Sequence, residues 1–511
     1  MIRWPFQHSN TPPWLVLLML GILWGTTAST WACPAARLSS ALNTITVQRL
    51  LDDVAFLSSP AFEGRQAGMP GDWKAARFVA QRFAALGLQS VTPQATSFRL
   101  ESWIQSGPLT ITRIREPAIL EFHGPSKGGK SGWSLRPEMG VEYLPLLDSP
   151  SVHLMAPVVF VGYGLSDPAL GFDEYERQMV RDRVVMMFRG TPPWYPRHVS
   201  YTEKARMAQE HGAIGIIILM PPEVKGYAAR RGRGPAPLAF SLNDPAHRYD
   251  PGVWIHTRIA EQLFARQALS LAGIQRRLDQ ERTVQSRPLD ILVRMQWEST
   301  REHRTFANVL GIIPGTDRRE EMVLVGAHRD HFGVQAGLLF PGADDNASGT
   351  ALLLEMARLL ATVLPAPQRT IVLVSFSGEE QGLLGSRWYT AHPVVPVNQT
   401  MAMINVDHVG TGNGRLTVGA SDIPQNLLRQ AAKLAGLSRR IDLYGLFPGG
   451  DHVPFAQAGI PTLAVVSGGP HPHFHRPSDT PGTLQPAVMD AAGRFVLAVT
   501  WLMANPANPK C

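Results

Sequence analysis

The stretch from Val323 to Asp407 constrains the fold most. It reads VLVGAHRDHFG, then PGADDNASG, then TIVLVSFSGEEQGLLGS, then MAMINVDHVG. Each piece places a His, Asp or Glu just after a short apolar run or in a glycine-rich turn beside one. Short apolar runs without alternation belong to strands buried on both faces, as in parallel sheets covered by helices. Met322–Val325, Thr370–Phe376 and Met401–Val406 read as such strands, and Pro461–Ser467 as a further one leading to His475. In open α/β sheets, ligands bind beyond the carboxyl ends of the strands. Those ends carry His328, Asp330, Asp344, Glu379, Glu380 and Asp407. Oxygen and imidazole donors without a thiolate suit zinc or a similar divalent ion.

The chain's 511 residues leave room for more than one domain, and 44% hydrophobic with 17% charged residues is a globular composition. The formal charge of +7 is not gathered into one run. Its densest cluster, Ala229-Arg-Arg-Gly-Arg-Gly, reads as a solvated loop, so no nucleic-acid partner is expected. Arg3, the apolar run Trp14–Gly25 and the small residues that follow read as a signal peptide over 1–32, with an uncleaved anchor as the alternative. The expectation is an exported chain, periplasmic or extracellular. It would meet a membrane only through an uncleaved signal or a lipid on Cys33. Cys33 and Cys511 are the two cysteines, which allow one disulfide at most and exclude a zinc ribbon.

Taken in order, residues 37–104 read as the first segment of the main domain, with a helix over Val47–Ser58 and a second after a loop rich in glycine and proline. Asp72 is the expected cap of that second helix. Residues 105–296 change texture and read as an insertion. It has strands at Ala156–Val161, Arg183–Phe188 and Ile214–Met220, and helices over Tyr201–His211 and Thr257–Leu278. No acid and imidazole cluster there has ligand spacing. Residues 297–504 alternate strand and helix, as βαβ units require, and 505–511 form a tail.

His328 and Asp330 sit two apart at a strand end, so in extended backbone they share a face. One can bind a metal while the other orients it. Adjacent Asp344 and Asp345 in a glycine-bounded turn repel unless a cation neutralises them. Asp344 can bridge two ions; Asp345 and Asn346 could instead cap the helix that follows. Glu379 and Glu380 follow a buried strand, and such a pair divides naturally into a metal ligand and a proton acceptor. Asp407 ends another strand. His471 and His473 compete with His475, and spacing alone does not choose among them.

These motifs resemble the M28 family of zinc metallopeptidases with an inserted PA (protease-associated) domain. The resemblance rests on AHRDH at 327–331, GADDNASG at 342–349, SGEEQGLLGS at 377–386, INVDHVG at 404–410, GDHVPFAQAGIPT at 450–462 and FHRPSDT at 474–480. VVFVGYG and EKARMAQEHGAIGIII resemble the PA domain. The implied fold is α/β: a three-layer αβα peptidase domain with a mixed, mostly parallel sheet, plus a β-rich insertion. The implied cofactor is two zinc ions, with Co2+ or Mn2+ as substitutes, bridged by Asp344. His328 and Asp407 would hold one ion, Glu380 and His475 the other. Glu379 would be the general base and Asp330 would orient His328. The peptide bond Asp344–Asp345 would be cis.

The implied activity is removal of N-terminal residues from peptides. A carboxypeptidase-type member, a glutaminyl cyclase-like member and a non-catalytic receptor-like binding protein are the alternatives. Two positions depart from the family pattern. Phe474 stands where some members carry a tyrosine that stabilises the oxyanion, which leaves Tyr444 or a metal for that role. Gly450 stands where a serine is usual. Asp451, His452, Tyr444 and Phe474 are the expected substrate-pocket residues.

Overall fold

The apolar runs named above are fully buried strands, and they set the architecture. The computed structural model describes residues 34–506, apart from 93–97, 127–131, 176–179, 225–228, 230–233 and 241–248. The segment 1–32 read as a signal peptide, Cys33, Cys511 and most of the basic loop lie outside the described residues.

Arg318–His328 lies at the centre of the sheet's C-terminal half, parallel to both Arg369–Phe376 and Thr400–Val406. Thr462–Ser467 extends the parallel set, and Leu416–Ser421 with Ile441–Tyr444 closes that edge. The helices Val47–Leu57, Gly349–Arg358 and Pro486–Ala504 share one large core with this sheet. In register, His328 faces Phe376 and Gly326 faces Asn405. Three neighbouring parallel strands therefore stop at one level, and the residues that follow them meet there.

Two long antiparallel strands, Ile104–Gly124 and Arg287–Ile313, join this half to the insertion. The second pairs with Arg369–Phe376 at one end and Val152–Phe160 at the other, so one sheet of fourteen strands runs through both halves. The inserted half continues with Val184–Phe188, Gly215–Leu219 and Gly252–Ile255, all parallel. Its helix Tyr201–Glu210 starts with a capping box between Ser200 and Glu203.

Two local expectations need correction. The helix expected over Thr257–Leu278 is broken, with Thr257–Ala265 and Leu271–Arg276 as separate helices and Ala268 at φ 56° between them. Asp72 does not cap its helix. Met69 holds the cap position, and Asp72 is buried with its carboxylate on Gly68 N, Ser377 Oγ and the Arg329 guanidinium.

The inserted half carries a buried pair of its own. Glu174 accepts hydrogen bonds from the Tyr163 and Leu165 amides at 3.0 Å, and Lys204 Nζ donates to the carbonyls of Phe188 and Gly190. Burial pushes the Lys204 ammonium down to about 7. A lysine in the unfolded chain titrates near about 10.4. Between about pH 8 and 10 the unfolded chain therefore binds the extra proton, and stability rises with pH. Glu174, pushed up to about 8 chiefly by burial, is ionised in both states over most of that window and adds little slope. Denaturant unfolding at about pH 8 and about pH 9.5 should show wild type gaining about 1 to 2 kcal/mol relative to Lys204→Met over that interval.

Candidate metal centre

Two carbonyl-rich loops must be held open for the strand-end residues to converge, and a buried arginine does this. Arg65 is fully buried and sits at φ 52°. Its Nε donates to Arg329 O at 2.7 Å, its Nη1 to Leu57 O and Pro341 O, and its Nη2 to Gly342 O. One guanidinium thus ties the segment after His328 to the turn that carries Asp344 and Asp345. Replacing Arg65 by Met would leave these carbonyls unpaired. We expect a loss of about 3 to 5 kcal/mol in unfolding free energy, read by denaturant titration.

Asp345 occupies the centre. Its Oδ1 lies 3.4 Å from His328 Nε2 and its Oδ2 lies 3.0 Å from His475 Nε2. A second carboxylate meets each imidazole: Asp407 Oδ1 is 3.2 Å from His328 Nε2, and Glu380 Oε2 is 3.4 Å from His475 Nε2. His328, Asp345, Asp407, Glu380 and His331 are all buried. Donors that share a tetrahedral zinc at about 2.0 to 2.1 Å stand roughly 3.4 Å from each other. The spacings match that figure, and the donor set of imidazole and carboxylate suits zinc.

The electrostatics agree. Burial alone would lower His328, but Asp407, Glu379 and other acids hold it well above its ordinary value. Burial pushes Glu380 well up, helped by Asp345 and Glu379. Asp345 is held well down against burial, because His328 and His475 both face it. Burial likewise raises Glu379 well above the usual carboxylate range, with His328 opposing and Asp407 and Asp451 adding to the rise. Asp451 is pushed up to about 7, first by burial. Five carboxylates in one buried space call for a cation.

The sequence reading placed Asp344 at the bridge, and the structure corrects this. The Asp344 carboxylate turns away. Its Oδ1 accepts from Gly410 N at 2.7 Å and Thr411 N at 3.1 Å, and its Oδ2 lies 2.6 Å from both Thr411 Oγ1 and His471 Nδ1. It is held down at about 2, with burial opposed by His471. The cis peptide also lies one residue later, at Asp345–Asn346. Asp479 fixes this turn by accepting Asp344 N and Asp345 N at 2.9 and 3.0 Å.

The other expected residues are placed as follows. Asp330 is fully buried, and its carboxylate accepts from the amides of Glu379 and Glu380 at 3.3 and 3.4 Å. Its Oδ1 is 3.7 Å from His328 Nδ1, while that nitrogen lies 3.2 Å from the Asp330 carbonyl. Asp451 is fully buried and accepts from Ser386 Oγ at 2.6 Å. His452 Nε2 lies 3.0 Å from Phe447 O. Phe474 stacks on His475 with ring centres 3.7 Å apart. Tyr444 ends the edge strand and is half exposed, apart from the buried cluster.

Sequence reasoning missed His331, whose Nδ1 lies 2.7 Å from Glu380 Oε1 and which groups with Asp345 and Glu380 as possible ligands. Its place within AHRDH was a usable signal, since it lies one residue past Asp330. Arg65, Asp479 and the Asp72–Arg329 pair were missed too; single charged residues in loops carry no periodic signal.

With the geometry described, comparison with known proteins becomes specific. Residues 308–500 match the model of peptidase family M28. Aminopeptidase YwaD of Bacillus subtilis is 32% identical over 211 residues, which cover 39% of this chain and 45% of that protein. Aminopeptidase NAALADL1 of Mus musculus is 31% identical over 254 residues, covering 40% and 33% respectively. The chain thus spans less than half the length of these curated relatives in the matched segments. An aminopeptidase from Aneurinibacillus sp. strain AM-1 shares the fold over 93% of this chain and 97% of its own, with a TM-score of 0.64 at 20% identity. BSAP, a zinc aminopeptidase from Bacillus subtilis, shares it over 90% and 96%, with a TM-score of 0.60 at 22% identity. Residues 308–500 thus carry the match to peptidase family M28, and the chain as a whole shares the fold of these solved aminopeptidases.

Proposed function

We propose that the chain is a zinc-dependent aminopeptidase with two ions on either side of the Asp345 carboxylate. The observation that carries this reading is Asp345 itself, placed between two imidazoles that each face a further carboxylate. His328 and Asp407 would hold one ion, and Glu380 and His475 the other. Bound zinc would polarise the scissile carbonyl and acidify the attacking water. Glu379, kept proton-avid by burial, would accept a proton from the attacking water and return it to the leaving amine. Asp330 aligns the backbone of Glu379 and Glu380 through their amides and faces His328.

The substrate's free α-amine would be drawn by the acids of the site, Asp451 among them. Asp451, His452 and Phe474 would line the pocket, with Tyr444 at its margin. The insertion, residues 105–296, fits a PA-type module, and the leader at 1–32 fits export to the periplasm or beyond. Arg65 and Arg329, both fully buried, supply no bidentate pocket for a C-terminal carboxylate, such as a carboxypeptidase needs. Arg65 is committed to backbone carbonyls and Arg329 to Asp72 and to carbonyls.

A panel of aminoacyl chromogenic amides and N-blocked peptides tests the reading. Cleavage of free-amine substrates alone is the expected result. Cleavage of blocked peptides from the carboxyl end would replace it with the carboxypeptidase reading.

A further inference from the structure

The insertion reaches the candidate centre at Ala239. Ala239 N donates to His475 O at 2.9 Å, and Ala239 O lies 3.1 Å from His475 Nδ1. The two backbones and one imidazole thus form a reciprocal pair across more than two hundred residues of sequence. An Nδ1–H held by a carbonyl leaves Nε2 with its lone pair free for a metal, and it fixes the plane of the ring. In this structure Nε2 faces Asp345 and Glu380.

His475 also adopts φ 56°. A side-chain-bearing residue is strained there and persists only where its surroundings over-determine it. The bond from Ala239 N to the His475 carbonyl is one such constraint. Packing supplies others. Phe474 stacks on the His475 ring and packs against a core of the inserted half that includes Leu238 and Trp254. Phe332 meets the His475 ring edge-on at 4.7 Å.

The Ala239 segment is itself fixed. The Phe240 ring contacts Tyr201 and Trp254, with centres 4.5 and 6.3 Å away. Leu147 N donates to Phe240 O at 2.8 Å. Ala239 is fully buried among Leu144, Leu147, Phe332 and Phe340.

We propose that the Ala239 segment of the insertion is a positioning element of the metal centre, setting the tautomer and orientation of His475. The insertion does more than flank the site: its seating determines how tightly the ion beside Glu380 and His475 is held. This rests on the two-ion reading above.

The test uses the full chain and graded bulk at Ala239, whose side chain packs in the cluster of Leu144, Leu147, Phe332 and Phe340. Ala239→Val and Ala239→Leu overfill the cluster and displace the segment. Ala260→Val, on the buried face of the helix Thr257–Ala265, strains the same half in a core separate from those that hold Ala239 and Phe474. Zinc per chain is followed during titration with a chelator, while near-ultraviolet circular dichroism reports folding.

In Ala239→Val, one of the two ions should leave at roughly 10- to 100-fold lower chelator concentration than in wild type. Ala239→Leu should lose it more readily still. The second ion should leave as in wild type, and Ala260→Val should match wild type throughout. If a folded Ala239→Val keeps both ions as tightly as wild type, or if Ala260→Val loses one equally, the positioning role is overturned. Wild type without zinc would instead refute the underlying metal-centre reading.

Discussion

Asp345→Asn should abolish the proposed aminopeptidase activity and the binding of both proposed zinc ions, whereas Asp344→Asn should lower kcat by about 10- to 100-fold and weaken metal binding without abolishing it. The difference follows from where each carboxylate points. Both oxygens of Asp345 face imidazole nitrogens, one on each side. Converting one oxygen to an amide removes an acceptor from a shared ligand and leaves the surrounding acids without neutralisation. Asp344 acts at one remove. Its carboxylate ties the turn after Asp407, through Gly410 and Thr411, to the loop that leads through His471 to His475. An Asn there keeps the shape but loses the charge that His471 and two amides are aligned on. Metal analysis beside steady-state kinetics on both variants checks the assignment. Equal and complete loss in Asp344→Asn, with Asp345→Asn still active, would reverse it.

Glu379→Gln should behave differently from either. We expect kcat to fall by about 10²- to 10⁴-fold with zinc content unchanged and KM altered little. Glu379 adjoins the proposed ligand Glu380 in the chain, and Asp330 accepts the amides of both at 3.3 and 3.4 Å. Glutamine preserves the side chain's size and that backbone alignment while removing the proton acceptor. Loss of zinc in this variant would make Glu379 a ligand instead of a base.

Much of this arrangement was legible in the sequence because parallel strands announce themselves. Unbroken apolar runs at Met322–Val325, Thr370–Phe376 and Met401–Val406 have one structural outcome, and residues just past them fall at a common edge. His328, Glu379, Glu380 and Asp407 could therefore be gathered without coordinates. The choice between Asp344 and Asp345 could not. Both acids fit a tight turn, and the direction of each depends on a backbone path that starts at Gly342 with φ 56° and is held by Asp479 from 134 and 135 residues away.

The same limit applied to the competing histidines. His471 and His475 divide the two acids between them, His471 with Asp344 and His475 with Asp345. That division is set by the strand Thr462–Ser467 and by the contact with Ala239, not by spacing. Arg65 shows a further kind of silence. A lone arginine in a loop gives no pattern, although its four carbonyl partners make it a keystone of the turn. The broken helix at Ala268 was hidden because the flanking residues keep helical spacing of apolar groups across the gap.

The most direct measurement is an anomalous difference map collected at the zinc edge from crystals of the zinc-loaded protein. The account predicts two peaks flanking the Asp345 carboxylate, one beside His328 and Asp407 and the other beside Glu380 and His475. A single peak, or peaks beside Asp344 and His471, would contradict it.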